Sequence, residues 1–468
     1  MLLGMLVILP AGNLAISDLT GTIALDLSQA AVVPEDSAWF TPGMIVLIDG
    51  VYEEEEESVG KGLSGSSGVG GTIGGRFQGF FIGQPPCEKR RATLGVSGPD
   101  GGADHTIGGG FGWIDFLGVG SERAVGSRMR RLEHRLLRQQ PAAADPDASP
   151  GRGRVVILGE LNLDQPRSLQ VLRKILTVYA TEPEGSTPLS FVLMGNFTSH
   201  AIMARGGSGG SIEYKEFFDA LASTLADFPT LITASTFVFV PGDNDVWVSS
   251  FSGGAAVPLP RDSVPELFTS RVRRVFAAAN AEAGFSASEG SKGAGGEAVW
   301  TTNPSRMSLF GPNHEMVLFR DDMSARLRRT AVRLKPTSKA QAASDQPVDA
   351  MDVDPKPLAD SSDSAATGVP HDIHTARKLV KTVLDQGYLS PFRPAIRPVH
   401  WDYAGALHLY PLPTAMVLAD PDAPAFCVTY EGCHVMNPGS VLVAGRRGVG
   451  RWVEYEIGKA GRVRECLV

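Results

Sequence analysis

The residues best placed to do chemistry in this chain are polar groups that end apolar runs. "FVFVPGDNDVW" closes a buried-strand pattern on Asp243, Asn244 and Asp245. "RVVILGELN" ends in Glu160 and Asn162, "SFVLMGNFTS" contains Asn196, "AVWTTNPSR" contains Asn303, and "FCVTYEGCHVMNPGS" supplies Asn437 and Ser440. Carboxylates and amides gathered at successive strand ends are a set that could hold hard divalent cations. A pair of such ions about 3.5–4 Å apart would activate water against a phosphate ester. Taken singly, each residue is an ordinary turn former beside Gly or Pro. Taken as an ordered set, they point to one cleft.

Other motifs carry less. Gly206-Gly207-Ser208-Gly209-Gly210 matches a nucleophile elbow in letters, but no strand leads into it and the stretch reads as loop filler. His371 and His374 stand at a helix start, where capping or exposure is the ordinary role. The chain contains no GxxxxGK[ST] phosphate loop.

The elements that must position the strand-end set fall into two patterns. Residues 1 to about 90 alternate with period two over five short strands: "LLGMLVILPAG", "LAISD", "GTIALDLSQ", "GMIVLIDGVYEE" and "GGRFQGFFIGQPP". Five is the count of a small Greek-key barrel of the OB type. We expect this domain over residues 1–95, with a flexible acidic and Gly/Ser-rich insertion at 58–75. A linker at 96–152 follows. It carries a helix near 122–140, where Met129, Leu132, Leu136 and Leu137 share a face and arginines form a solvated one. From 153 to 468 apolar strands alternate with helices, the pattern of an α/β sheet whose strand-end loops form its functional rim. Among those strands we count "ALHLYPLP". Low-complexity stretches at 277–297 and 335–370 are expected to be disordered insertions.

Bulk properties narrow the class. The chain has 468 residues, enough for two or three domains. A net charge of −8 excludes a nucleic-acid clamp acting through the whole molecule. Its four cysteines form no CxxC pair, which fits a reducing compartment. "MLLGMLVILP" lacks a basic lead and is shorter than the roughly 20 residues that cross a bilayer, so it reads as a strand. That abrupt start suggests an absent upstream segment.

The order and wording of the motifs resemble the B-subunit family of the eukaryotic replicative DNA polymerases, and within it the epsilon branch. "LTGTIALDLSQA", "FVLMGNF", "FVFVPG", "LPRDSVPE", "WTTNPSR", "VKTVLDQGYLSPF", "YPLPTAMVLAD" and "MNPGS" carry the likeness. The epsilon branch, rather than alpha or delta, rests mainly on "TTNPSR" and "VKTVLDQGYLSP". The resemblance implies an OB barrel followed by a calcineurin-like phosphoesterase domain, an α/β β-sandwich flanked by helices. It implies a non-catalytic accessory subunit in the nucleus that scaffolds the C-terminal zinc-binding region of the catalytic subunit. Other replisome proteins would be partners, and DNA would be met only through the complex. No cofactor is implied. The branch carries a small helical domain ahead of the barrel, which these residues do not include.

Measured against working phosphoesterases of that fold, the set is degraded. They use Asp-x-His where this chain has Glu160-Leu161-Asn162, and a bridging Gly-Asp where it has Gly195-Asn196. They use Asn-His-Asp/Glu at the third strand, where Asn244 takes the place of the histidine that acts as general acid. They close with Gly-His-x-His where Asn437-Pro438-Gly439-Ser440 stands. Amides cannot bridge two dications or give up a proton near neutral pH. Glu160, Asp243, Asp245 and Asn303 complete what reads as a relic site with no catalytic residue. The competing readings are an active metallophosphoesterase and a single-strand-binding barrel. The second is opposed by a first sixty residues without Lys or Arg.

Overall fold

A computed structural model describes residues 1–34, 37–54, 71–93, 153–183, 185–201, 210–245, 254–285, 295–310, 314–334 and 371–468. They form two compact units, one of Met1–Pro86 with Leu327–Gln386, the other of Cys87–Arg326 with Gly387–Val468.

The first unit is built on β1 (Leu2–Ile8), β2 (Leu14–Ser17), β3 (Thr22–Asp26), β4 (Ala31–Val32), β5 (Ile45–Glu53) and β6 (Thr72–Gly83). Antiparallel pairings join β3 to β2, β2 to β1, β1 to β5 and β5 to β6, and a parallel β3–β6 pairing closes the cycle into a five-stranded barrel. The two-residue β4 is appended to β6. Alternation places Leu6, Ile16, Leu25, Val46, Ile48 and Phe77 inside. The tight β2–β3 turn is fixed by Asp18, whose carboxylate accepts from Thr20 N at 2.7 Å and Gly21 N at 3.0 Å. Asx-type bonding of this kind shapes the turn locally.

The helix His371–Gln386 belongs to this unit, although it falls in the 153–468 stretch of the expected division. Gln386 brackets the Ile45 peptide with bonds of 2.9 and 2.8 Å, and Thr382 Oγ1 accepts from Trp39 N at 3.0 Å. The Lys378 ammonium lies 5.1 Å from the Trp39 ring centroid.

The second unit holds β7 (Arg154–Leu158), β8 (Ser190–Met194), β9 (Thr236–Val240), β10 (Ala298–Trp300), β11 (Ser305–Ser308), β12 (Glu315–Arg320), β13 (Ala415–Ala419), β14 (Phe426–Tyr430), β15 (Cys433–Asn437), β16 (Val449–Glu456) and β17 (Gly461–Leu467). One sheet runs β10-β9-β8-β7-β16-β17 and the other β11-β12-β13-β15-β14. In the first, β7 to β10 are mutually parallel.

In that sheet, strands β7, β8 and β9 are buried on both faces, and their side chains alternate between two cores. Val155, Ile157, Val192, Met194, Val238 and Val240 pack with Met316, Leu318, Val417 and Met436 of the second sheet. Val156, Leu158, Phe191, Leu193, Phe237 and Phe239 face the helices Pro166–Ala180, Gly210–Ala226 and Glu266–Glu282. The first of these helices shows why it forms. Proline stands at its start, and Val171, Leu172, Ile175, Leu176 and Tyr179 repeat at three- and four-residue spacing.

Several expectations need correction. The helix Glu266–Glu282 runs into the stretch read as an insertion at 277–297, because Phe276 and Ala279 are buried and alanine favours the helix. The far end of that stretch is also ordered: Gly296 N donates to Thr233 O and Phe237 N to Glu297 O, each at 2.8 Å. β6 begins at Thr72, inside the expected 58–75 insertion, because Thr22 and Thr72 pair in the β3–β6 ladder. "ALHLYPLP" is no strand. The 3₁₀ turn Trp401–Leu407 occupies its start. Residues 55–70, the 96–152 linker with its helix near 122–140, 286–294 and 335–370 lie outside the described residues.

Candidate functional site

Parallel strands bring their C-terminal ends to one side, so the loops after β7, β8, β9 and β10 meet. Asn196 is their hub. Its Nδ2 donates to Glu160 Oε1 at 2.8 Å, and its Oδ1 accepts from Asn244 N at 2.9 Å. Its carbonyl accepts from Asn162 Nδ2 at 2.7 Å. Asn244 Nδ2 reaches Thr198 O at 2.9 Å. Glycine is required here: a Cβ on Gly195 would run into Asp245 Oδ2, and one on Gly242 into Asn196 Oδ1.

Glu160, Asn162, Asn196, Asp243, Asn244 and Asp245 are thus gathered, and Asn303 joins them through arginine backbone. Asn303 Oδ1 accepts from Arg320 N at 3.0 Å, and its Nδ2 donates to Arg320 O at 2.8 Å. Asn437 makes a separate knot beside β13. Its Oδ1 accepts from Asp420 N at 3.1 Å and from Gly439 N at 2.9 Å. Ser440 is half-buried, and the next residue, Val441, donates its N–H to Gly159 O at 2.8 Å.

The cations at this site are side chains. Asp243 Oδ1 accepts from Arg397 Nη2 at 2.7 Å and from Arg261 Nε at 2.9 Å. Its Oδ2 accepts from Arg326 Nη2 at 3.4 Å and faces Arg320 Nη1 at 3.9 Å. Arg320 also takes both oxygens of Glu160, at 3.1 and 2.9 Å. Arg397 and Arg326 share Asp321, at 2.9 and 3.0 Å. All four guanidiniums and Asp243 are buried. A buried charge is tolerated only when it is paired, and each of these guanidiniums faces a carboxylate, although Arg261 Nη1 and Arg397 Nε are left without a hydrogen-bond acceptor.

Two carboxylates two residues apart have opposite electrostatics. Burial would raise the Asp243 carboxyl, but Arg397, Arg261 and Arg320 outweigh it and hold the group at about 2. Asp245 has no such neighbour in contact. Burial pushes it up to about 7, against the pull of the Gly242 and Phe197 N–H groups that donate to it at 2.8 and 2.9 Å. Burial likewise pushes Asp420 up to about 6.

Glu160, Asp243 and Asp245 are the residues that could ligate a metal. The oxygens of Glu160 and Asp243 already accept from guanidiniums, and those of Asp245 from backbone N–H groups. A dication would have to displace a buried arginine to reach the first two. Asp245 titrates near neutrality but is fully enclosed, so it offers no proton to a substrate in solvent.

A family profile for the B subunit of DNA polymerases alpha and epsilon matches residues 155–428, which include every residue of the cluster around Asp243. The chain belongs to this family. The barrel residues 1–86 match a second profile, "DNA polymerase epsilon subunit 2-like, OB-fold domain". The chain is 31% identical over 453 residues to the B subunit of DNA polymerase epsilon from Saccharomyces cerevisiae, covering 95% of this chain and 55% of that protein. It is 31% identical over 443 residues to the Schizosaccharomyces pombe protein of the same name, covering 95% and 58%. With "DNA polymerase epsilon subunit 2" of Mus musculus the identity is 28% over 440 residues, covering 94% and 60%. The chain therefore spans little more than half the length of these relatives.

Sequence reasoning missed Arg261, Arg320, Arg326, Arg397 and Asp321. A faint signal existed: "EMVLFRDDM" ends the apolar run Met316–Phe319 on an arginine followed by two acids. An arginine in that position must find buried partners.

Proposed function

We propose that this chain is the non-catalytic accessory B subunit of an epsilon-type DNA polymerase holoenzyme. It acts in the nucleus and scaffolds the C-terminal zinc-binding region of the catalytic subunit, meeting DNA only through the complex. The two-sheet unit is read as a calcineurin-like phosphoesterase domain whose site has lost its chemistry. The relatives' names, all of the epsilon enzyme, favour that branch over alpha or delta.

The observation that carries the non-catalytic reading is the enclosure of Asp243 by Arg261, Arg320, Arg326 and Arg397. Four fixed charges stand where a hydrolase would keep mobile cations and an open position for water. The strand ends have become an internal brace.

Co-expression with C-terminal fragments of the epsilon, delta and alpha catalytic subunits, followed by size exclusion, tests the assignment. Co-elution with the epsilon fragment is expected, and preference for another fragment would reassign the branch. Phosphodiesterase turnover with Mn²⁺ that disappears in Asn196→Ala would defeat the non-catalytic reading.

A further inference from the structure

The sheet that carries the brace has β17 at one edge, and its register with β16 is unbroken over seven residues. The neighbouring strand shows which of its peptide groups are already used. Arg451 N donates to Val441 O at 2.9 Å and Val443 N to Val449 O at 3.1 Å, so the odd-numbered residues of β16 turn away from β17. Gly450, Trp452 and Glu454 turn toward it, opposite Cys466, Arg464 and Arg462. The N–H and C=O groups of Val463, Glu465 and Leu467 therefore aim outward. Gly461, of the same parity, shows what such a group does beside an acceptor: its N–H donates to His434 Nε2 at 2.8 Å. The next three of that series have no backbone partner among the described residues.

Proteins ordinarily blunt such an edge with a proline, a bulge or a very short strand. β17 has none of the three. Its side chains instead differ by face. Val463 stands opposite Val453 and Leu467 opposite Val449, on the side of the second sheet, and they are 39% and 76% exposed. Arg462 and Arg464 lie on the helix side with Cys466, which packs against the core beneath the helices. Arg464 pairs with Glu454 at 3.1 Å, and Glu465 pairs with Arg451 and Arg446, each at 2.8 Å. Arg462 is exposed, as is Lys174, whose charge reaches the Cys466 thiol from the helix Pro166–Ala180. Neither forms an ion pair among the described residues.

We propose that β17 docks an extended segment of a partner protein as an added strand, one in which apolar residues alternate with carboxylates. The outward peptide groups supply the ladder, and the two faces set the sequence. On the side of the second sheet an incoming side chain extends the apolar row of Val463 and Leu467. On the helix side it meets Arg462 and Lys174, which a carboxylate satisfies and a lysine or arginine does not. A second copy of this chain fits less well. Antiparallel pairing of two β17 strands sets their cationic faces side by side, where like charges oppose association. The edge discourages its own kind and admits a partner of opposite charge. It shares no residue with the brace around Asp243 and does not rest on the scaffolding role proposed above.

The full chain is titrated with a fluorescein-labelled peptide of alternating valine and glutamate, about as long as β17. Weak, saturable binding is expected. Amide exchange should slow at Val463, Glu465 and Leu467 and change little at Arg462, Arg464 and Cys466. Val463→Pro deletes an outward N–H and leaves the ladder to β16 whole, since edge strands admit proline on their open side. That variant should melt with the parent and bind about tenfold more weakly, and Arg462→Glu should weaken binding about threefold. A peptide of the same composition, with its valines and glutamates in two blocks, should also bind about tenfold more weakly. Absence of binding, equal binding of the block peptide, indifference to Val463→Pro, or protection at Arg464 in place of Val463 overturns the proposal. So does a dimer of the parent chain that Val463→Pro dissolves, which would make a second copy the occupant.

Discussion

Asp243 and Asp245 share a loop, a residue type and almost complete burial, yet the fold treats them in opposite ways. Asp243 is met by guanidiniums and stays ionised down to about 2, whereas Asp245 is met by peptide N–H groups and resists ionisation up to about 7. The charge of a buried carboxylate is decided by the charge of its partners more than by the number of its hydrogen bonds. The strand-end site is therefore two regions. One is an ionic brace and the other a near-neutral backbone clasp.

Breaking the brace should have the largest effect. Asp243→Ala leaves Arg261 and Arg397 buried without their shared partner, and a loss of about 3–5 kcal/mol in denaturant unfolding is expected. A loss below about 1 kcal/mol would mean that Asp321 compensates and that Asp243 is not the keystone. Gly195→Ala attacks the clasp alone, because its Cβ strikes the Asp245 carboxylate and lies 2.7 Å from Gly242 N. About 1–3 kcal/mol should be lost, with the Asp243 region intact.

The pH dependence sharpens the contrast. Asp245 has a folded pKa above its unfolded one, so the native state holds the extra proton between about pH 4 and about 7. Stability should fall through that window as pH rises, by on the order of 1 kcal/mol per unit. Asp245→Asn should flatten this slope, and an unchanged profile would refute the raised pKa. His434 supplies the smallest and opposite effect. Burial lowers its pKa, and its Nε2 accepts from Gly461 N at 2.8 Å. The unfolded state then takes up the proton first, so stability should decline as pH falls below about 6.5. His434→Gln should weaken that acid limb in thermal melts.

All five barrel strands were legible, because one wet and one dry face write a period of two into the chain. β4 was not, since two residues carry no period. β17 escaped because Arg462, Arg464 and Glu465 interrupt its apolar positions at a sheet edge. "ALHLYPLP" reads as a strand because its buried Leu407, Leu409 and Leu412 stand at apolar spacing, but the 3₁₀ turn Trp401–Leu407 ends inside it and no ladder continues. The site was half legible. Strand ends can be read locally, and the structure gathers Glu160, Asn196 and Asp243 to Asp245 while leaving Asn437 in a separate knot. Arg261, Arg326 and Arg397 come from distant loops and a helix, and no local pattern says that they share one carboxylate.

The placement of β16 bears on how the polypeptide is made. Its residues Val449–Glu456 fill the position beside β7, which begins at Arg154, so that edge of β7 stays open until the chain has been made through Glu456, about three hundred residues later. The edge of β7 meanwhile presents unpaired peptide groups to its surroundings, a template for mispairing. A ribosome stalled before Val449 would release a product for chaperones and proteases, not a shortened but usable protein.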